Sequence, residues 1–285
     1  MTDADPNSEQ AEFWNGPSGL KWIENEEGMD AILSVVSAGL LDRGAIRPGE
    51  RVLEVGCGTG ANSLLLAEAV GPKGEVLALD ISEPLLARAA ARRDAAGLTQ
   101  PEFRLADAQT AALPKAHFDL LISRFGVMFF ADPQAAFANM RTALARGGRL
   151  VFACWAGIEG NPWFRLPRDV AANRLGWPDP PEHGAPGPMA FADSGRVTGL
   201  MAQAGFADPQ AKEVTLELHH PGGIPAAATL ASRVGLAARI LKDFDGTDAD
   251  AAAIRAGIEA AFADFAAPDG ARIPARVIFY TARAE

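Results

Sequence analysis

Val52-Leu53-Glu54-Val55-Gly56-Cys57-Gly58-Thr59-Gly60 runs from a short apolar strand into a turn with glycine at every second position. Apolar residues resume at helical spacing over Leu64, Leu65, Leu66, Ala67 and Val70, so the segment spells strand, glycine turn, helix. Such a turn lets a ligand approach the backbone closely, and the helix N-terminus aims free N–H groups at it. A nucleotide-like ligand is expected there. Taken alone, the turn also fits a dinucleotide fingerprint, because Gly56, Gly58 and Ala61 satisfy G-x-G-x-x-G/A with Asp80 at a suitable distance.

Working outward, the same unit recurs. Glu75 to Leu79 reads as a strand with Asp80 at its end, and Ser82 is placed to cap a helix whose first turn holds Pro84. Glu102 to Leu105 and Phe118 to Ser123 are the next strands, the latter almost continuously apolar, as suits a central parallel strand. Asp132-Pro133 opens a helix through Leu144, Gly147-Gly148 closes it, and Arg149 to Trp155 is a fifth strand. Upstream, Ile32, Leu33, Val35, Val36 and Leu40 predict a helix from Met29 to Leu41. Strands alternating with helices predict a doubly wound α/β sheet.

Proline, glycine and tryptophan punctuate Ala156 to Ala192, too long a stretch for an ordinary loop, and a lid is expected there. Ser194 to Ala204 predicts a helix, Ala211 to Leu218 a strand, Pro225 to Phe265 two or three helices and Ala275 to Ala282 a last strand. The chain thus divides into an N-terminal helical or lid segment (1–46), a core (47–155), a lid insertion (156–192) and a C-terminal part of the core with a helical insertion (193–285).

The acidic residue two positions before the first glycine makes Val52 to Gly60 resemble motif I of the class I S-adenosylmethionine (SAM)-dependent methyltransferases. Asp119-Leu120-Leu121-Ile122-Ser123 is similar to that family's fourth-strand motif, and Leu144-Ala145-Arg146-Gly147-Gly148-Arg149-Leu150 to its segment before strand five. The openings Phe13-Trp14-Asn15-Gly16-Pro17 and Ser123-Arg124-Phe125-Gly126-Val127-Met128-Phe129-Phe130-Ala131-Asp132-Pro133 resemble bacterial small-molecule enzymes related to the ubiquinone and menaquinone C-methyltransferases. The resemblance implies a Rossmann-like sheet of seven strands, mostly parallel with the last antiparallel. It implies SAM as cofactor and S-adenosylhomocysteine as product. It sets Glu54 beside the methionine moiety, Asp80 on the ribose hydroxyls, and Asp107 with Ala108 around the adenine. Trp22, Gly56, Cys57, Gly58, Gly60, Ile81 and Ser123 complete the expected cofactor site. Asp80 and Asp107 have a plainer reading as caps of the turns that follow them.

Methyl transfer from a sulfonium asks mainly for alignment of the acceptor. The four histidines show no metal spacing, so no metal is expected, and Cys57 reads as a small residue of the turn. Arg124 and His183 are the candidate catalytic groups. Trp14, Arg124, Phe129 and Trp163 are candidates for the acceptor pocket, with core packing the competing reading for the tryptophans. His219 and His220 read as exposed turn positions.

The 285 residues carry a formal net charge of −10 with no dense basic block, which argues against a nucleic-acid substrate. The acidic opening lacks a signal-peptide pattern and reads as frayed, and no apolar run reaches membrane-spanning length. Two solitary cysteines, Cys57 and Cys154, fit a reduced, cytoplasmic protein, and the resemblance implies a monomer or homodimer. Two alternatives remain: a nicotinamide-dependent oxidoreductase, disfavoured by the absence of a Tyr-x-x-x-Lys pair, and a non-catalytic SAM-binding regulator.

Overall fold

The computed structural model describes residues 6–182 and 184–285. Helices α1 (Ser8–Asn15), α2 (Pro17–Glu24) and α3 (Glu26–Gly44) precede a repeating βα series. That series runs β1 (Arg51–Val55), α4 (Ala61–Val70), β2 (Glu75–Asp80), α5 (Glu83–Ala95), β3 (Glu102–Leu105), β4 (Phe118–Arg124), α6 (Pro133–Ala143) and β5 (Leu144–Trp155). Then come α7 (Pro162–Leu175), α8 (Ser194–Gln203), β6 (Ala207–His220), α9 (Gly223–Arg233), α10 (Leu236–Asp243), α11 (Asp248–Ala261), the two-residue β7 (Ala266–Ala267) and β8 (Gly270–Arg283).

One sheet holds the strands in the order β3-β2-β1-β4-β5-β8-β6, with β7 paired to β8. Strands β1 to β5 pair in parallel, and β8 lies antiparallel between β5 and β6. The seven-stranded, mostly parallel sheet with an antiparallel last strand is therefore present, extended by β7. Helices α3, α4 and α5 pack along one face and α6 and α8 against the other, the arrangement right-handed crossovers produce. Strands β1 and β4 are buried on both faces, which is why Val52, Leu53, Leu120, Leu121 and Ile122 form unbroken apolar runs.

The parallel strands end together at one edge, where α1 bonds the segments that follow β2 and β3. The order reverses between β1 and β4, so a crevice opens beside the glycine turn that follows β1. The expected caps hold: the Ser82 hydroxyl accepts from the Leu85 N–H, and the Asp132 carboxylate from the N–H groups of Gln134 and Ala135.

Three expectations change. The stretch from 156 to 192 is no bare lid, because α7 fills Pro162–Leu175 and packs on α10 and α11. Pro162 sits in its first turn at no cost, and Pro167 is buried inside it, so proline here marked a helix and not its absence. Gly147-Gly148 does not end α6, which stops at Ala143; the pair lies within β5 beside a register shift against β4. The opening is tied down from residue 6 onward: Asn7 is 3% exposed and starts a network described below. The first five positions lie outside the described residues. Among the described residues no single helix is long and apolar enough to cross a membrane; only α9 and α10 together reach that composition, across a 47° bend.

Candidate functional site

Gly56 takes a φ of +71°, and a Cβ on it would lie 2.6 Å from the Cα of Gly126. The backbone after β1 and the backbone after β4 meet glycine to glycine, which only glycine allows. Gly58 takes a φ of +54°, yet a Cβ there would meet nothing within 4 Å. One glycine is needed for packing; the other opens a space. Asp80 borders that space: its carboxylate accepts from the Gly58 N–H (2.8 Å) and the Ser82 N–H (3.0 Å). Burial pushes the Asp80 carboxyl up, and these N–H donors pull it back.

Beneath the turn, Glu54 is 1% exposed and accepts from the Ser63 hydroxyl of α4. Burial raises its carboxyl to about 7, against the Ser63 bond and the Arg124 guanidinium, which favour the charged form. Arg124, at the end of β4, donates to the Ser37 hydroxyl of α3 at 2.8 Å; burial lowers its pKa, opposed by Asp30 and Glu54. Arg92 of α5 ties Asp30 to the Thr59 carbonyl and so joins α3 to the glycine turn. Ser123 donates to the Val55 carbonyl (2.7 Å) and accepts from the Gly126 N–H (3.1 Å), so its hydroxyl fixes the β1–β4 junction. Cys57 packs with Ala78, Leu86 and Phe103, and burial pushes its thiol well up, as befits a packing residue.

At the end of β3, Asp107 accepts from the Gln109 N–H (2.8 Å) and from the Asn7 side chain (2.8 Å). Asn7 also donates to Gln109 and accepts from the Ala131 N–H, at 3.1 and 2.7 Å. At the other end of α1, Asn15 donates to the Ile81 carbonyl and accepts from the Glu83 N–H. Helix α1 is thereby bolted by one carboxamide near β3 and another near β2, and it lies across the crevice. Ala108 is buried, and its carbonyl accepts from Asn139.

Trp14 meets Trp22 edge-on at 6.0 Å and Phe129 at 5.5 Å, which joins the N-terminal helices to the segment after β4. Trp163 stands apart: it stacks on Phe262 at 6.0 Å and is 5% exposed, so it belongs to the packing of α7 on the helical insertion. His183 lies outside the described residues. His117 pairs with Glu75, His219 bonds the Asp269 carbonyl, and the half-buried His220 accepts from the Gly222 N–H. A cleft of ≈ 350 Å³ opens beside His220, between Asn25, the N-cap of α3, Gly28 of α3 and Leu230 of α9, separate from the glycine turn.

Sequence reasoning missed Asn7, Gln109 and Asn62. Nothing local marks the first two, since the bonds that join them to each other, and Asn7 to Asp107 and Ala131, cross 100 residues or more. Asn62 was legible: it shares an i, i+4, i+8 face with Leu66 and Val70, a polar residue on an otherwise apolar stripe.

Comparison with known proteins gives the family. Residues 52–148 match the family model described as a methyltransferase domain. A nocamycin O-methyltransferase of Saccharothrix syringae is 30% identical over 200 residues, 65% of this chain and 69% of the relative. A ubiquinone/menaquinone biosynthesis C-methyltransferase of Bordetella parapertussis is 30% identical over 53% of this chain and 58% of its own length, so the match spans little more than half of that relative. Among solved structures, a phosphoethanolamine N-methyltransferase 2 of Haemonchus contortus with SAM covers 99% of this chain and 60% of its own, at TM-score 0.60 and 15% identity, a likeness of fold.

Proposed function

Since the chain belongs to the class I SAM-dependent small-molecule methyltransferases, we propose that its acceptor is an apolar or aromatic metabolite held against Trp14, Trp22 and Phe129. The observation that carries the site assignment is the open space over Gly58, bounded by the Asp80 carboxylate. A Cβ there would project into that open space, where a nucleoside could approach the backbone. The residues present fit the cofactor. Asp80 retains lone pairs for ribose hydroxyls, Asp107 and Ala108 stand at the next strand end for adenine, and Glu54 and Arg124 offer opposite charges beneath the turn. When bound, SAM supplies an activated methyl group and leaves as S-adenosylhomocysteine.

What the chain contributes is alignment and exclusion of water. The Gly56–Gly126 contact fixes the β1 and β4 ends against each other, and Ser123 locks that junction. Helices α1 and α2 close the crevice from above, with aromatic faces toward the segment after β4. Such faces attract a sulfonium and exclude water from reacting atoms ~3 to 3.5 Å apart. Arg124 is the candidate for steadying an anionic acceptor oxygen. The nicotinamide alternative loses further ground, because Tyr280, the only tyrosine, is fully buried with its hydroxyl donating to the Phe191 carbonyl. Two buried free cysteines and a net charge of −10 support a cytoplasmic enzyme, monomer or homodimer, that does not act on nucleic acid.

Calorimetric titration with SAM, S-adenosylhomocysteine and NADH, repeated on Asp80→Ala, tests the assignment. Binding of both adenosyl ligands that collapses in the variant is expected. Binding of NADH alone, or SAM affinity indifferent to Asp80, would overturn it.

A further inference from the structure

Strand β6 runs parallel to β5, since each pairs antiparallel with β8. Its last residue, His220, therefore emerges at the edge where β1 to β5 end, the edge at which open α/β sheets hold their ligands. It borders the ≈ 350 Å³ cleft between α3 and α9, a volume within the ~300 to 1,000 Å³ range of small-molecule sites. None of the seven residues that line the cleft is an aspartate, glutamate, lysine or arginine.

The imidazole is fixed in one form. Nδ1 accepts from the Gly222 N–H at 3.1 Å, so the hydrogen of the neutral ring sits on Nε2. Burial and the neighbouring His219 push the pKa down, which keeps the ring neutral. Among the described residues nothing pairs with Nε2, and it is open to solvent, since the Asn62 carboxamide alone is both sealed in and unpartnered. Gly28 helps to keep it so. This glycine lies inside α3, where glycine costs stability relative to alanine and no positive φ asks for it. A Cβ on it would lie 3.3 Å from Nε2 and 3.1 Å from Cδ2 of Leu230.

The rest of the lining narrows the ligand. Thr229 donates its one hydroxyl hydrogen to the Pro225 carbonyl (2.8 Å), so toward a ligand its oxygen only accepts. Pro225, Ala226 and Leu230 supply apolar surface. An uncharged cleft with an N–H donor, a hydroxyl acceptor and apolar walls calls for a neutral hydroxyl group on an apolar body, because a hydroxyl both accepts and donates. We propose that this cleft is a second ligand site, apart from the methyl-transfer site, which binds a neutral phenol or alcohol through the Nε2–H of His220. Its occupant joins α3 to α9, and it uses none of the residues assigned to SAM.

The test titrates the full chain with p-cresol, toluene and p-toluate, read by NMR at the Gly28 amide and the Leu230 methyl groups. p-Cresol should bind ~5- to 10-fold more tightly than toluene, the value of one or two neutral hydrogen bonds, and p-toluate no more tightly than toluene. His220→Phe keeps a ring and removes the N–H, so it should erase the preference for p-cresol while toluene still binds. Gly28→Ala sets a methyl group before Nε2 and favours the helix. It should weaken p-cresol by ~10-fold or more and leave SAM affinity unchanged, which certifies a folded chain. p-Cresol bound no more tightly than toluene, a stronger response to p-toluate, or a p-cresol preference that survives either variant would overturn the proposal.

Discussion

Two alanines two residues apart should behave oppositely, and the contrast tests whether the space over Gly58 belongs to a ligand. Gly58→Ala adds a methyl group at a φ of +54°, costing ~1 to 2 kcal/mol of left-handed strain, offset by ~0.4 to 1 kcal/mol from a stiffer unfolded chain. With nothing within 4 Å there is no clash to add, so the net is about 1 kcal/mol, a fall in Tm of ~2 to 4 °C. Gly56→Ala carries the same strain plus a Cβ 2.6 Å from the Gly126 Cα. The clash is with backbone and not with a flexible side-chain end, and the Gly126 N–H is held by Ser123, so roughly 3 kcal/mol or more of destabilisation is expected. Binding should reverse the order of interest. The well-folded Gly58→Ala protein should lose ~10- to 100-fold in SAM affinity by calorimetry, because its methyl group occupies the cradle. If Gly58→Ala binds SAM within about threefold of wild type, the open space is ordinary solvent and the placement of the cofactor fails.

Two further outcomes follow from the same edge of the sheet. Glu54 has its folded pKa raised from 4.5 to about 7, so the stability it contributes is fully present below the unfolded value and lost as pH rises through the folded one. In ligand-free protein, Tm should therefore fall between pH 5 and 8 by the equivalent of about 3 kcal/mol, and Glu54→Gln should flatten that slope, leaving only a part that Asp80, shifted the same way, supplies; an unaltered slope would refute it. Asn7→Ala removes three hydrogen bonds that hold the start of α1 to Asp107, Gln109 and Ala131. Faster hydrogen exchange at the Ala131 amide and faster cofactor release in stopped-flow are expected, and unchanged exchange would show that α1 is held elsewhere.

Much of the fold could be read from the chain because its signals are local. Strand, glycine turn and helix follow one another within twenty residues, and Ser82, Asp132 and the apolar runs of β1 and β4 each act on neighbours or on both faces of one strand. The helix inside 156–192 is hidden for a local reason as well. Proline and tryptophan read as breakers there, but Pro162 lies at a helix start and Trp163 stacks on Phe262, ninety-nine residues on. The amphipathic match between α7 and the helical insertion overrides weak propensity, and that match is invisible in either segment alone.

The site divides along the same line. Gly56, Gly58, Asp80 and Asp107 are given by motif spacing, since each stands at a strand end that the alternation already places. The groups that close over them come from far along the chain: Asn7 reaches Ala131, Arg124 reaches Ser37, and Trp14 reaches Phe129. On the proposed assignment, cofactor recognition belongs to one βα series, while the acceptor would meet α1, α2, the segment after β4 and the helices beyond β5. Changes in the helices beyond β5 should alter which molecule is methylated and leave SAM affinity intact, whereas changes in α1 should reach both. That separation is what lets one sheet edge serve C-, N- and O-methyltransferases alike.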